Sequence, residues 1–222
     1  MKKITSIIIA VAICVLVLSV TVFAQRDFKA EETLAKELKV LGIFNGVSET
    51  DFDLDRAPSR IEAVVMLVRV LGKETEALSN TYQHPFTDIP DWADKYIGYA
   101  YTNGLANGQA LTKFGTGEAN SAMYLTFVLR ALGYSDTDGK DFVWDNPYQL
   151  ARETGILPDG VDIENFLRAD VVLVSHSALS SYLKGSVETL SQKLISSGVF
   201  TKESFEKIYN SHVKTELTAE EI

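Results

Sequence analysis

The sequence predicts an all-α protein of three pseudo-repeated helix–loop–helix units, followed by one or two C-terminal helices. Three observations carry that expectation. A glycine-ended phrase recurs: GIFNG at 42–46, GLANG at 104–108 and GILPDG at 155–160. A longer segment recurs as well. RIEAVVMLVRVLG (60–72) aligns with SAMYLTFVLRALG (121–133), placing Arg69 on Arg130 and Gly72 on Gly133, and RADVVLVSHSAL (168–179) places Arg168 on Arg60 and Asp170 on Glu62. Repetition at this length marks supersecondary units that bury their faces against one another. Finally, the apolar residues keep helical spacing. Leu34, Leu38 and Leu41 form one stripe, and apolar residues at 63, 64, 67, 70 and 71 form another.

Each unit reads as helix, glycine stop, loop, helix. The first helices are expected in EETLAKELKVLG (31–42), WADKYIGYAYTNG (92–104) and NPYQLARETG (146–155). Gly42, Gly104 and Gly155 stand where a helix end needs a left-handed residue. In unit one the second helix has a start signal: Ser59 with Glu62 three residues on forms a capping box, and Pro58 bars extension upstream. The intervening loops are polar, with one embedded aromatic residue, Phe52 or Phe114. A two-helix unit cannot bury both stripes alone, whereas three can bury them against each other. After Gly185, Leu190, Leu194 and Ile195 predict another helix, and Phe205, Ile208 and Tyr209 a short last one. The closing VKTELTAEEI is polar and expected to fray.

The start of the chain reads differently. Lys2 and Lys3 precede an apolar run from Ile4 to about Phe23, and Val22-Phe23-Ala24 offers a cleavage site before Gln25. This is the pattern of a secretory signal peptide, with an uncleaved membrane anchor as the alternative. The expected organisation is therefore 1–24 signal peptide, 25–80 unit one, 81–140 unit two, 141–185 unit three and 186–222 a helical tail. Cleavage would remove Cys14, the only cysteine, so no disulfide is expected. The whole chain carries a formal charge of −9; from residue 25 on, 19 basic residues face 30 acidic ones, leaving −11. That balance disfavours nucleic acid, which needs a basic face.

FTDIPDWADKYIGYAYTNGLANG (86–108) and PSRIEA (58–63) resemble the S-layer homology family, with its F-x-D opening, Trp-Ala pair, Gly-Ile/Leu…Gly turn and ITRAE motif. The resemblance covers about residues 26–185, and its third copy is degenerate. It implies a three-pronged spindle around a central helical bundle. It also implies secretion to the cell wall or cell surface, and non-covalent attachment to an anionic secondary cell-wall polymer, often pyruvylated. No single copy is complete. Copy one lacks the F-x-D opening, copy two has Ser121 and Met123 at the Arg and Glu positions, and copy three has Leu167 before Arg168.

The candidate ligand-binding residues are Arg60, Glu62, Ser59, Trp92, Arg168 and Asp170. Guanidinium matches a carboxylate with two parallel bonds, and a helix start adds favourable backbone dipoles. The competing reading pairs Arg60 with Asp55 or Glu62, and Arg168 with Glu164 or Asp170, as ordinary ion pairs. Trp92 either stacks on a sugar ring or packs in the core. Asp88 reads as the cap of a helix beginning near Pro90. Asp51, Asp53, Asp55 and Glu62 have the spacing of a calcium loop, but Arg56 stands where that loop needs glycine. SDTDGKD (135–141) reads as a solvated linker. No P-loop, dinucleotide fingerprint or nucleophile elbow is present, and Ser175 beside His176 would diverge on a helix. Neither catalysis, a cofactor nor a metal is expected. Two functions of different class follow: an exported envelope anchor that binds wall polysaccharide, or a structural domain that keeps the fold and holds a protein partner, through its C-terminal tail for example.

Overall fold

The computed structural model describes residues 26–209. The segment expected as a signal peptide and the acidic tail lie outside the described residues. The helices are α1 (Lys29–Val40), α2 (Arg60–Val70), α3 (Glu74–Ser79), α4 (Asp94–Thr102), α5 (Ser121–Ala131), α6 (Tyr148–Glu153), α7 (Arg168–Leu179) and α8 (Leu190–Ser196). Residues 202–209 are again helical. Among the described residues no strand forms, only isolated bridges such as Ser59 with Glu118. The predicted all-α class therefore holds, and no helix among them is long and apolar enough to cross a membrane.

Local chemistry sets the helix ends as expected. Gly42, Gly104 and Gly155 take φ of 74°, 68° and 78°, a region where a Cβ would be strained. Ser59 Oγ accepts from Glu62 N (3.2 Å), while Glu62 Oε2 accepts from Ser59 N (2.7 Å). The short α3 has no counterpart in the sequence reading.

Three of the four longest described helices, α2, α5 and α7, contact one another pairwise and form the centre of the core. A bond between Tyr124 and Ser175 hydroxyls (2.7 Å) ties α5 to α7 at full burial. Around them α4 packs on α2, α6 packs on α5, and α1 packs on α7. The first helix of each expected unit thus lies against the long helix of the unit before it. The N-terminal α1 closes the set on the last long helix.

The starts of the long helices follow the same cyclic rule. Arg60 N donates to Gly117 O (2.8 Å), and Ala119 N to Pro58 O (2.8 Å), joining the start of α2 to the loop before α5. Ser121 Oγ donates to Ile163 O (2.8 Å), reaching the loop before α7. Arg168 N donates to Arg56 O (2.9 Å) and Ala169 N to Leu54 O (3.1 Å), returning to the loop before α2.

Two local expectations fail. Asp88 does not cap a helix. Its carboxylate accepts from Phe114 N (2.9 Å) and Gly115 N (3.0 Å), clamping the distant loop, because α4 begins only at Asp94. The 135–141 segment is not a free linker either. Asp136 binds Arg130, Asp141 binds Lys184 (2.6 Å), and a 3₁₀ turn at Thr137–Gly139 lies between them.

Candidate functional site: two arginine and tryptophan grooves

The cyclic packing carries each helix-start arginine away from its own unit and into the next cleft. Arg60 is buried. It donates Nε–H to Phe114 O (3.1 Å) and Nη2–H to Asn107 O (2.8 Å), both in the loop of the following unit. Its guanidinium lies over the Phe114 and Phe127 rings, 4.9 and 5.1 Å from their centroids. Among the described residues Nη1 has no acceptor. Around this arginine opens a groove of about 440 Å³, lined also by Asn107, Gln109, Met123, Arg130 and Trp144.

Arg168 repeats the arrangement. Its Nε–H donates to Phe52 O (3.0 Å), the carbonyl of the matching loop aromatic, and Nη1 lies 3.6 Å from Met66 Sδ. The groove there holds about 270 Å³ and is lined by Asn45, Glu62, Arg69, Trp92 and Tyr96.

The two grooves are assembled from equivalent places. Asn45-Gly46 matches Asn107-Gly108 in the recurring glycine phrase. Glu62, Val65, Met66 and Arg69 on α2 match Met123, Thr126, Phe127 and Arg130 on α5. Each groove ends on an indole from the segment that follows: Trp92 is 58% exposed and Trp144 is 55% exposed. These are the chain's two tryptophans. Glycine is needed in the loop because a Cβ on Gly46 would lie 2.2 Å from Asp51 O, and one on Gly108 would lie 2.3 Å from the Phe86 ring. The main chain of the groove wall is thereby held close under neighbouring groups.

The corresponding place around α7 is filled from within. Ser121 brings no cation to it. Instead Arg26 bonds the fully buried Asp170 (3.0 and 3.2 Å), reaches Glu31 (2.8 Å) and lies 3.5 Å from Gly160 O.

The sequence candidates therefore separate. Arg168, Glu62 and Trp92 meet in one groove, while Arg60 belongs to the other. Ser59 serves as the helix cap and lines neither groove. Asp170 accepts from Leu167 N (2.8 Å) and Asp162 N (2.9 Å) besides Arg26, so its bonds are all structural. The ion pairs expected for the arginines do not form. Glu62 is taken by Arg56 (2.7 and 3.0 Å), and Asp53 also binds Arg56 (2.6 Å). Arg168 approaches Glu62 only to 3.9 Å. Trp92 is not a core residue. Arg69, Arg130, Asn107, Gln109 and Trp144 were missed as lining residues, although Arg69 and Arg130 align in the repeat and the Asn-Gly pair recurs.

Burial, with a smaller contribution from nearby Arg130, lowers the Arg60 pKa to about 10. Burial also lowers that of Arg168. Both sites therefore favour an arriving anion that restores the lost solvation. The Arg56 guanidinium holds Glu62 down to about 2. A carboxylate whose pKa falls on folding stabilises the protein above its unfolded value, about 4.3, and loses that contribution as pH drops toward 2. Glu62→Gln, which keeps the capping geometry, is expected to cost about 1–2 kcal/mol at pH 7 after solvent screening. Urea midpoints should show that difference shrinking between pH 4 and pH 2.

No family model matches the chain. It is similar to a cell surface protein of Thermoanaerobacter kivui, 31% identical over 182 residues, which cover 77% of this chain and 23% of that protein. It is also similar to a surface layer protein of Brevibacillus choshinensis, 27% identical over 143 residues, covering 60% of this chain and 13% of that protein. A third similarity is to a middle cell wall protein of Brevibacillus brevis, 25% identical over 158 residues, covering 66% of this chain and 15% of that protein. The chain spans about a quarter of the length of these relatives or less.

Proposed function

We propose that this chain is an exported, non-catalytic cell-envelope module that attaches to an anionic secondary cell-wall polysaccharide through the Arg60 and Arg168 grooves. In this reading residues 25–185 are three S-layer-homology-like units in a spindle, with the N-terminal segment serving as the export signal. The observation that carries the reading is that the two grooves are built from equivalent positions. In each, an exposed indole and a buried guanidinium line the groove together with an Asn-Gly pair. An indole face suits the apolar face of a sugar ring, and a guanidinium suits a carboxylate or phosphate on it. The names of the similar proteins, all of the cell surface or wall, point the same way.

The second reading is a structural domain that has given up sugar binding and holds a protein partner. The place filled by Arg26 favours it, because one of three equivalent clefts already has an internal occupant. Sedimentation of residues 25–222 with purified wall polymer separates the two. Co-sedimentation that is lost when the polymer's anionic substituents are removed is expected for the anchor. An intact protein that stays in the supernatant overturns it.

A further inference from the structure

Resting on the groove reading above, we propose that the two grooves take different sugar units: the Arg60 groove the anionic unit, the Arg168 groove an uncharged one. The difference lies in one helix position. Three residues into α2 stands Glu62, which lines the Arg168 groove; the matching residue of α5 is Met123, which lines the Arg60 groove.

The consequences follow from the neighbours of each guanidinium. Among the described residues no carboxylate lies within ion-pair distance of Arg60, whose two bonds go to neutral carbonyls. The other groove cation, Arg130, is neutralised by Asp136 through two bonds (2.8 and 2.5 Å). Arg60, Arg130 and Asp136 together leave this groove with one net positive charge. Around Arg168 the balance differs. Glu62 lies 3.9 Å from it, Arg69 is held by Glu74 (2.8 Å), and Arg56 is shared by Glu62 and Asp53. Arg168, Arg69 and Glu62 line this groove, and only with the ion-pair partners beyond its wall, Arg56, Glu74 and Asp53, does the sum fall to zero. The titration behaviour agrees with this geometry: Arg60 feels only a second cation, whereas Arg168 feels two acids and two cations. An incoming carboxylate meets an uncompensated cation in one groove and a resident carboxylate in the other. At these separations the difference is not screened by physiological salt. A polymer alternating charged and neutral sugars would then bind in one register, with its charged unit at Arg60.

The chain's two tryptophans, one in each groove, make the assignment measurable. Labelling with 5-fluorotryptophan gives two ¹⁹F resonances, assigned by Trp92→Phe and Trp144→Phe. The probes are the methyl glycosides of glucuronic acid and N-acetylglucosamine. The acidic probe is expected to shift the Trp144 resonance at a concentration about tenfold lower than the Trp92 resonance. The neutral probe should shift Trp92 at least as readily as Trp144. Met123→Glu should weaken the acidic probe at Trp144 about tenfold, and Glu62→Gln should tighten it severalfold at Trp92. Equal response of both resonances to the acidic probe, unchanged by either substitution, overturns the charge assignment and leaves the grooves as sugar sites. If neither resonance responds to either probe, the groove reading fails and this inference with it.

Discussion

Arg60→Ala is expected to reduce affinity for the wall polymer by ten- to a hundredfold, and Arg168→Ala by about threefold. The ranking comes from charge. A hydrogen bond to a charged group contributes about 1.5–3 kcal/mol, and Arg60 lines its groove with no acid competing for its guanidinium among the described residues. Arg168 already faces Glu62 at 3.9 Å. The double substitution should abolish binding, since a two-site attachment to one polymer gains by effective concentration that a single weak site lacks. Removing Arg60 also leaves Phe114 O and Asn107 O without their donors, so the affinity must be read where circular dichroism shows the variant folded. Arg60→Lys is a useful partner experiment: it keeps the charge and loses the planar fork, and should retain an intermediate affinity. Calorimetry with one polymer preparation ranks all four variants. If Arg60→Ala and Arg168→Ala both bind like the parent, the arginines are scaffold cations and the polysaccharide reading falls.

Leu38→Ala is expected to destabilise the whole domain, not only its N-terminus. Leu38 is completely buried on α1, and α1 packs on α7 at the place where the set of helices closes. Truncating a fully buried leucine costs about 2–5 kcal/mol through lost transfer energy and the cavity left behind. Because α7 also contacts α2 and α5, loosening that seam exposes the centre of the core. The urea transition should stay single and move to lower concentration, with amide protection falling in α5 and α7 as well as α1. Loss of protection confined to residues 26–42 would mean that α1 is a detachable arm, and that the cyclic closure contributes nothing to the cooperative fold.

Much of the fold was legible in advance because it is decided locally. The capping box at Ser59, the left-handed glycines at 42, 104 and 155, and the helical stripe of α2 each depend on residues within a few positions of each other. The recurring Asn-Gly pair was equally visible, though not what it was for. Asp88 shows where such reasoning stops. A carboxylate just ahead of a helix has the look of a cap, yet its partners are the amides of Phe114 and Gly115, in a loop that folds back from the far side of α4.

The sequence by itself determined the all-α class, most of the helices though not α3, several of their ends, and the places of two arginines at helix starts. Only the tertiary structure decided which groups those arginines meet. Each long helix begins against the loop of the following unit, so Arg60 sits with Asn107 and Trp144, and Arg168 sits with Glu62 and Trp92. Nothing near Arg60 in the sequence encodes that exchange, because it arises from the way α2, α5 and α7 pack on one another. The exposure of Trp92 was hidden for a related reason. A single indole at a helix start has no periodic pattern to say which way it faces. Its side chain turns outward because Ala93, Tyr96 and Ile97 already fill the inward positions.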